Sequence, residues 1–153
     1  MRSRGGDRNT SLVNVESYIR DEPRPARLSL AEFRGGWVAI AFLPPEMGSH
    51  PELERLEQLR HAFAEEDCVL LGSSIDSWFD LHESPAAFPL VADTQGILAR
   101  SFGAIVDGDP RYGTVLIDPD GVVRYDDLGA GVSAQRALSA LRRLRRDPVD
   151  EAA

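Results

Sequence analysis

The sequence predicts a single α/β domain, a mixed central β-sheet flanked by helices. Three observations carry this. Two mostly apolar runs, residues 37–43 and 68–75, lack polar alternation, as strands buried on both faces do. A segment of helical period lies between them and supplies a crossover. Near the end, two short strand-forming runs flank Pro119-Asp120-Gly121, which reads as a hairpin, and another helical period follows.

Taken in order, residues 1–10 are charged, Gly-containing and without apolar rhythm, and read as a flexible arm. Residues 11–15 read as a short edge strand and 21–25 as a Pro-rich connector. Residues 28–33 are short and amphipathic, and Gly35-Gly36 ends them. The strand at 37–43 runs into Pro44-Pro45. A helix is expected over 51–65: Ser49-x-x-Glu52 fits a capping box, Pro51 suits a first turn, and Leu53, Leu56, Leu59 and Phe63 share one face. The strand at 68–75 follows, then a short helix through Trp78, Phe79 and Leu81. Residues 88–92 form a short strand. A short helix over 97–102 is closed by Gly103, and 106–110 reads as a loop. Ser133 caps a last helix whose face is Leu138, Leu141 and Leu144. An acidic tail begins at Asp147. The domain is therefore expected over 11–146, between the arm and the tail at 147–153.

The net charge of −8 disfavours nucleic acid, which needs a clustered basic surface. The cluster Arg142-Arg143 and Arg145-Arg146 falls in the last turns of a helix, where cations complement the dipole. No apolar run approaches the length of a membrane span, and the charged N-terminus has no hydrophobic segment behind it. A cytoplasmic location without membrane attachment is the expectation. A single cysteine, Cys68, excludes an internal disulfide and a cysteine-based metal site. The three histidines are scattered, Asp118-Pro119-Asp120-Gly121 is explained by a hairpin turn rather than by calcium, and there is no Gly-rich phosphate loop. Neither metal nor cofactor is expected.

Crossovers first, then a hairpin, then a closing helix is the order of a thioredoxin-like domain. Four segments make the resemblance more specific: residues 28–38, 69–77, the Phe88-Pro89-Leu90-Val91-Ala92-Asp93 segment, and the hairpin at 113–124. Over about residues 28–146 the chain resembles the peroxiredoxin family, the alkyl hydroperoxide reductase and thiol-specific antioxidant group. The resemblance implies a thioredoxin-like domain of peroxiredoxin type and an active site at the corner between the strand at 37–43 and the helix after it.

That family places a Pro-x-x-x-Thr-x-x-Cys loop at this corner and an Arg just before the hairpin strand. Pro44 can take the Pro position, His50 falls on the Cys position, and Tyr112 falls on the Arg position, with Arg111 next to it. Met47 or Gly48 occupies the region of the Thr. A thiol peroxidase needs a thiolate that peroxide oxidises to sulfenic acid, and imidazole cannot replace sulfur in that step. Cys68 follows Glu65-Glu66-Asp67, acids that raise a thiol pKa, and reads as a small buried apolar residue.

The expected function is therefore cysteine-independent. The old peroxide pocket would bind or convert a small molecule by acid–base chemistry, with a place in specialised metabolism. His50, at a helix N-terminus that disfavours the protonated ring, is either a general base or donor or a helix-start residue with no role. Glu46 is either a helper facing the pocket or a solvated loop carboxylate. Pro44, Pro45 and Ser49 are expected around the ligand. Of Tyr112 and Arg111, only one is expected to face the site, since neighbouring residues of a strand point oppositely, and Tyr112 is preferred. The competing expectation is a non-catalytic binding or assembly protein, and a homodimer is expected in either case. Residual thiol redox activity at Cys68 ranks last.

Overall fold

A computed structural model describes residues 14–19, 27–29, 33–45, 51–75 and 88–146. The arm, the tail and the expected helix through Trp78, Phe79 and Leu81 lie outside these residues, as do Glu46, Ser49 and His50.

The strands are β1 (Asn14–Ile19), β2 (Arg27–Ser29), β3 (Trp37–Phe42), β4 (Cys68–Ser74), β5 (Leu90–Ala92), β6 (Ile105–Val106), β7 (Asp109–Pro110), β8 (Gly113–Ile117) and β9 (Val123–Asp126). The helices are α1 (Pro51–Glu65), α2 (Ile97–Phe102) and α3 (Ala134–Arg146). Seven strands form one mixed sheet in the order β2-β1-β5-β4-β3-β8-β9. The pairs β3–β4 and β4–β5 are parallel, whereas β3–β8, β8–β9, β1–β5 and β1–β2 are antiparallel.

The unbroken apolar run of β3 divides between two layers by its period of two. Trp37, Ala39, Ala41 and Leu43 pack with Leu53, Leu56 and Phe63 of α1 and Leu138 and Leu141 of α3. Val38, Ile40 and Phe42 pack on the other face with Leu98, Ala99 and Phe102 of α2. Each large side chain fully buried in this way contributes about 1.5–3 kcal/mol. The α1 face read from the sequence is in place: Leu53, Leu56 and Phe63 are buried, and Leu59 packs partly against them.

The helix ends have identifiable causes. After α1, Asp67 takes a left-handed turn (φ 61°), which a short polar side chain tolerates, and its carbonyl accepts the Trp37 N–H at 3.0 Å. Gly103 closes α2 with φ 81°, while the Gly103 and Ala104 amides donate to Arg100 and Ala99. Ser133 Oγ accepts the Arg136 N–H at 3.2 Å at the start of α3. Glu52 reaches across to the last helix, where its Oε1 accepts the Ala134 N–H of α3 at 3.0 Å; the capping box it was expected to form with Ser49 lies outside the described residues.

Three expectations change. The first described strand, Asn14–Ile19, is not at the edge, because residues 27–29, at the start of the amphipathic segment, pair with it as β2. The stretch 106–110 is not a simple loop: β6 and β7 pair around Asp107-Gly108, both with positive φ (52° and 83°). Asp-Gly supplies the two left-handed positions that such a two-residue turn requires. The Asp118 hairpin is as expected, and its Oδ1 accepts the Asp120 and Val122 amides, both at 2.9 Å, as a turn carboxylate.

Candidate functional site

The chain runs outward through β3, β4 and β5, then returns to the other side of β3 as β8. In open α/β sheets the carboxyl ends of strands at such a reversal form a crevice. A cavity of about 140 Å³ opens there. Phe42 and Leu43 bound it from the end of β3, and Ser73, Ser74 and Ile75 from the end of β4. Asp93, Ala99 and Ala104 come from the α2 side. The β6–β7 hairpin adds Ile105, Gly108 and Pro110, and Tyr112 stands where the chain enters β8.

The polar groups of the wall are held by the backbone around them. Asp93 is buried, and its two carboxylate oxygens accept the Leu98 and Ala99 amides at 3.1 and 2.9 Å, fixing the first turn of α2 against the cavity. The Ser73 carbonyl accepts the Leu43 N–H at 2.8 Å, and the Ser74 carbonyl accepts the Asp93 N–H at 2.7 Å. Among the described residues no group of three or more His, Cys, Asp or Glu is arranged to hold a metal.

Tyr112 is clamped from behind. The Gly129 and Gly131 amides both donate to its carbonyl at 3.0 Å. That loop is fastened in turn by Asp127. Its Oδ1 accepts the Thr114 N–H at 2.7 Å, and its Oδ2 accepts Arg136 Nε at 2.7 Å and the Tyr125 hydroxyl at 3.0 Å. Burial first, and then the Asp127 carboxylate, push the Tyr125 phenol up to about 12. The Asp127 contacts raise Arg136 as well. Gly113 is required here, since a Cβ would lie 2.7 Å from the Asp127 carbonyl oxygen.

Of the residues singled out from the sequence, the structure places Tyr112 and Pro44, which follows β3, at one end of the sheet. Pro44 is half-buried and Pro45 exposed. Tyr112 lines the cavity, whereas Arg111 is exposed and is not among the lining residues. Ser73, Ser74, Asp93 and Ala99 were missed. Small polar residues at the end of an apolar strand, and an Asp three residues before a helix-opening Gly, are the only signals that could have marked them.

The one thiol lies elsewhere. Cys68 opens β4 beside Trp37 and is buried, about 17 Å along the strand from Ser73. Its pKa is pushed up to about 12, with burial as the main cause. The acids preceding it were expected to do this; Asp67 acts in the same direction but is the smallest contributor, and Arg145 opposes it.

The sequence signature of the AhpC/TSA family spans residues 20–126, well over half of the chain. The chain belongs to this family. It is 30% identical over 132 residues to peroxiredoxin TSA1-B of Candida albicans, covering 74% of this chain and 67% of that one. It is also 30% identical over 132 residues to a thioredoxin peroxidase of Fasciola hepatica, covering 74% and 68%. Xanthomonas campestris peroxiredoxin Q superposes with a TM-score of 0.73 at 25% identity, covering 88% of this chain and 92% of that one. The crystal structure of Enterococcus faecalis AhpC superposes with a TM-score of 0.76 at 22% identity, covering 92% and 93%, a likeness of fold. The peroxiredoxin-type, thioredoxin-like domain implied by the sequence is thus the domain observed.

Proposed function

We propose that this AhpC/TSA-family chain carries out no thiol peroxidase chemistry at its strand-to-helix corner. It uses the pocket there to bind or convert a small molecule without cysteine. The observation that supports this most is the separation of thiol and cavity: Cys68 is buried at the opening of β4, and the cavity lies at the other end. His50 falls on the family's Cys position and acts as general base or hydrogen-bond donor; Tyr112 supplies the phenol and an aromatic wall. Glu46 assists, and Pro44, Pro45 and Ser49 enclose the ligand from the corner. Arg111, exposed, is given no contact with it. The reading includes a cytoplasmic homodimer with a role in biosynthesis; among the described residues no helix is long and apolar enough to cross a membrane.

The test is a small-fragment screen by NMR on the whole chain, repeated on His50→Ala and Tyr112→Phe. Binders at the corner are expected to lose affinity in both variants. Affinity and turnover unchanged in both would defeat the pocket reading and favour a protein that keeps the fold for binding or assembly alone.

A further inference from the structure

The cavity has a polarity of its own. Ser73 is 3% exposed, and its side chain projects from the sheet face that carries Leu71 and Phe42, toward the void. Its carbonyl is used by Leu43. A hydroxyl that lines an open space can donate to, and accept from, a molecule placed there. Around it Phe42, Ala99, Ala104 and Ile105 offer apolar contact, with Tyr112 on the β8 side. Among the described lining residues Asp93 is the one charged side chain, and its oxygens already accept the α2 amides.

From this we infer that the cavity takes an uncharged, ring-sized apolar molecule carrying one hydroxyl or carbonyl, with Ser73 Oγ as its hydrogen-bond partner. This rests on the preceding reading for the place of the ligand, and it adds the ligand's class. Size sets the first limit. A dry apolar cavity of about 150 Å³ accommodates benzene, and this one is about 140 Å³. Charge sets the second. A carboxylate or phosphate would be buried beside the Asp93 carboxylate with no cation among the described residues of the wall, a costly arrangement. Access is open, because Ile75 is 49% exposed and Gly108 and Pro110 on the hairpin are exposed at the same lip. Ser73 binds and selects here; the acid–base roles at the corner belong to other residues.

The experiment uses phenol, benzene and benzoate as probes, titrated into the full chain by heteronuclear NMR. Variants are Ser73→Ala, which removes the hydroxyl, and Ala99→Leu, which fills the void; thermal melts confirm that both fold. Phenol is expected to bind more tightly than benzene, and benzoate not at all. Ser73→Ala should weaken phenol about three- to tenfold, as the loss of one net hydrogen bond does, and leave benzene unchanged. Ala99→Leu should abolish both. Benzoate binding as tightly as phenol overturns the inference. So does phenol affinity that ignores Ser73→Ala, or probe binding that survives Ala99→Leu. If phenol obeys Ser73 and Ala99 but ignores His50→Ala and Tyr112→Phe, the ligand class stands and the roles assigned at the corner fall.

Discussion

The two ends of the central strands differ in how they are closed. At the opening end of β3 and β4, Trp37 and Cys68 are sealed under α1 and α3, with Phe63 fully buried beside them and the Asp67 carbonyl accepting the Trp37 amide. At the carboxyl end, Phe42, Leu43, Ser73 and Ser74 are also buried, yet they surround a void. Burial alone therefore does not distinguish structure from site. The difference lies in what fills the space between the buried groups: at one end packed helix side chains, at the other a hairpin that leaves room.

The largest effect that could break this comparison is in the sealed end. Phe63→Ala is expected to cost about 3–5 kcal/mol in urea unfolding, because its neighbours cannot collapse into the hole. A loss below 1 kcal/mol would mean that the sealed end is as loosely filled as the cavity end.

Next in size is Gly113→Ala at the cavity end. The new methyl would meet the backbone of Asp127, which cannot swing aside, so about 1–3 kcal/mol is expected. Gly72→Ala, whose methyl would meet the ends of the Leu90, Phe88 and Leu43 side chains, is expected to be milder because those groups can give. Reversal of that order by denaturant titration would show that the loop 127–131 yields more readily than the core beneath β4.

A smaller effect is alkaline. The Cys68 pKa is raised from 9.0 to about 12 and that of Tyr125 from 10.0 to about 12. Between pH 9 and 12 the unfolded thiol loses its proton while the folded one keeps it. The folded chain then binds more protons, so stability falls as pH rises through this window. Tyr125 adds the same sign above pH 10. Denaturation midpoints should decline from pH 9 upward, and Cys68→Ala should flatten the decline. A midpoint that rises with pH there would contradict the burial of the thiol.

How much of this was legible depended on whether the signal was local. The unbroken run of β3 announced burial on both faces, and α1 and α2 fall where Pro51 and Gly103 bound them. Asp107-Gly108 was as readable as any hairpin turn, but its two-residue strands are too short to carry a period of two. The cavity was out of reach. It exists because Ser73, Ala99, Ile105 and Tyr112, from four separate segments, fail to fill the space between them, and no periodicity in a sequence encodes a gap. Tyr112 was reached only by its position beside the hairpin strand. Asp127, which holds the loop behind it, offered no sign beyond being one of several acids.

The smallest expected effect bears most on function. With a thiol pKa of about 12, Cys68 at pH 7 has on the order of one thiolate per 10⁵ molecules, against a few per cent for a free cysteine. Sulfenic acid forms from thiolate, and thiolate needs access to peroxide. Cys68 has neither the charge state nor the exposure. Hydrogen peroxide should therefore disappear at the same background rate with the wild-type chain and with Cys68→Ala, and a dimedone-type trap should leave Cys68 unlabelled. Peroxide consumption that vanished with Cys68 would require the sealed end to open on the timescale of the reaction. The contrast between the two ends of the sheet would then be one of populations rather than of architecture, and the redox step would return to a residue that packing alone assigns to the core.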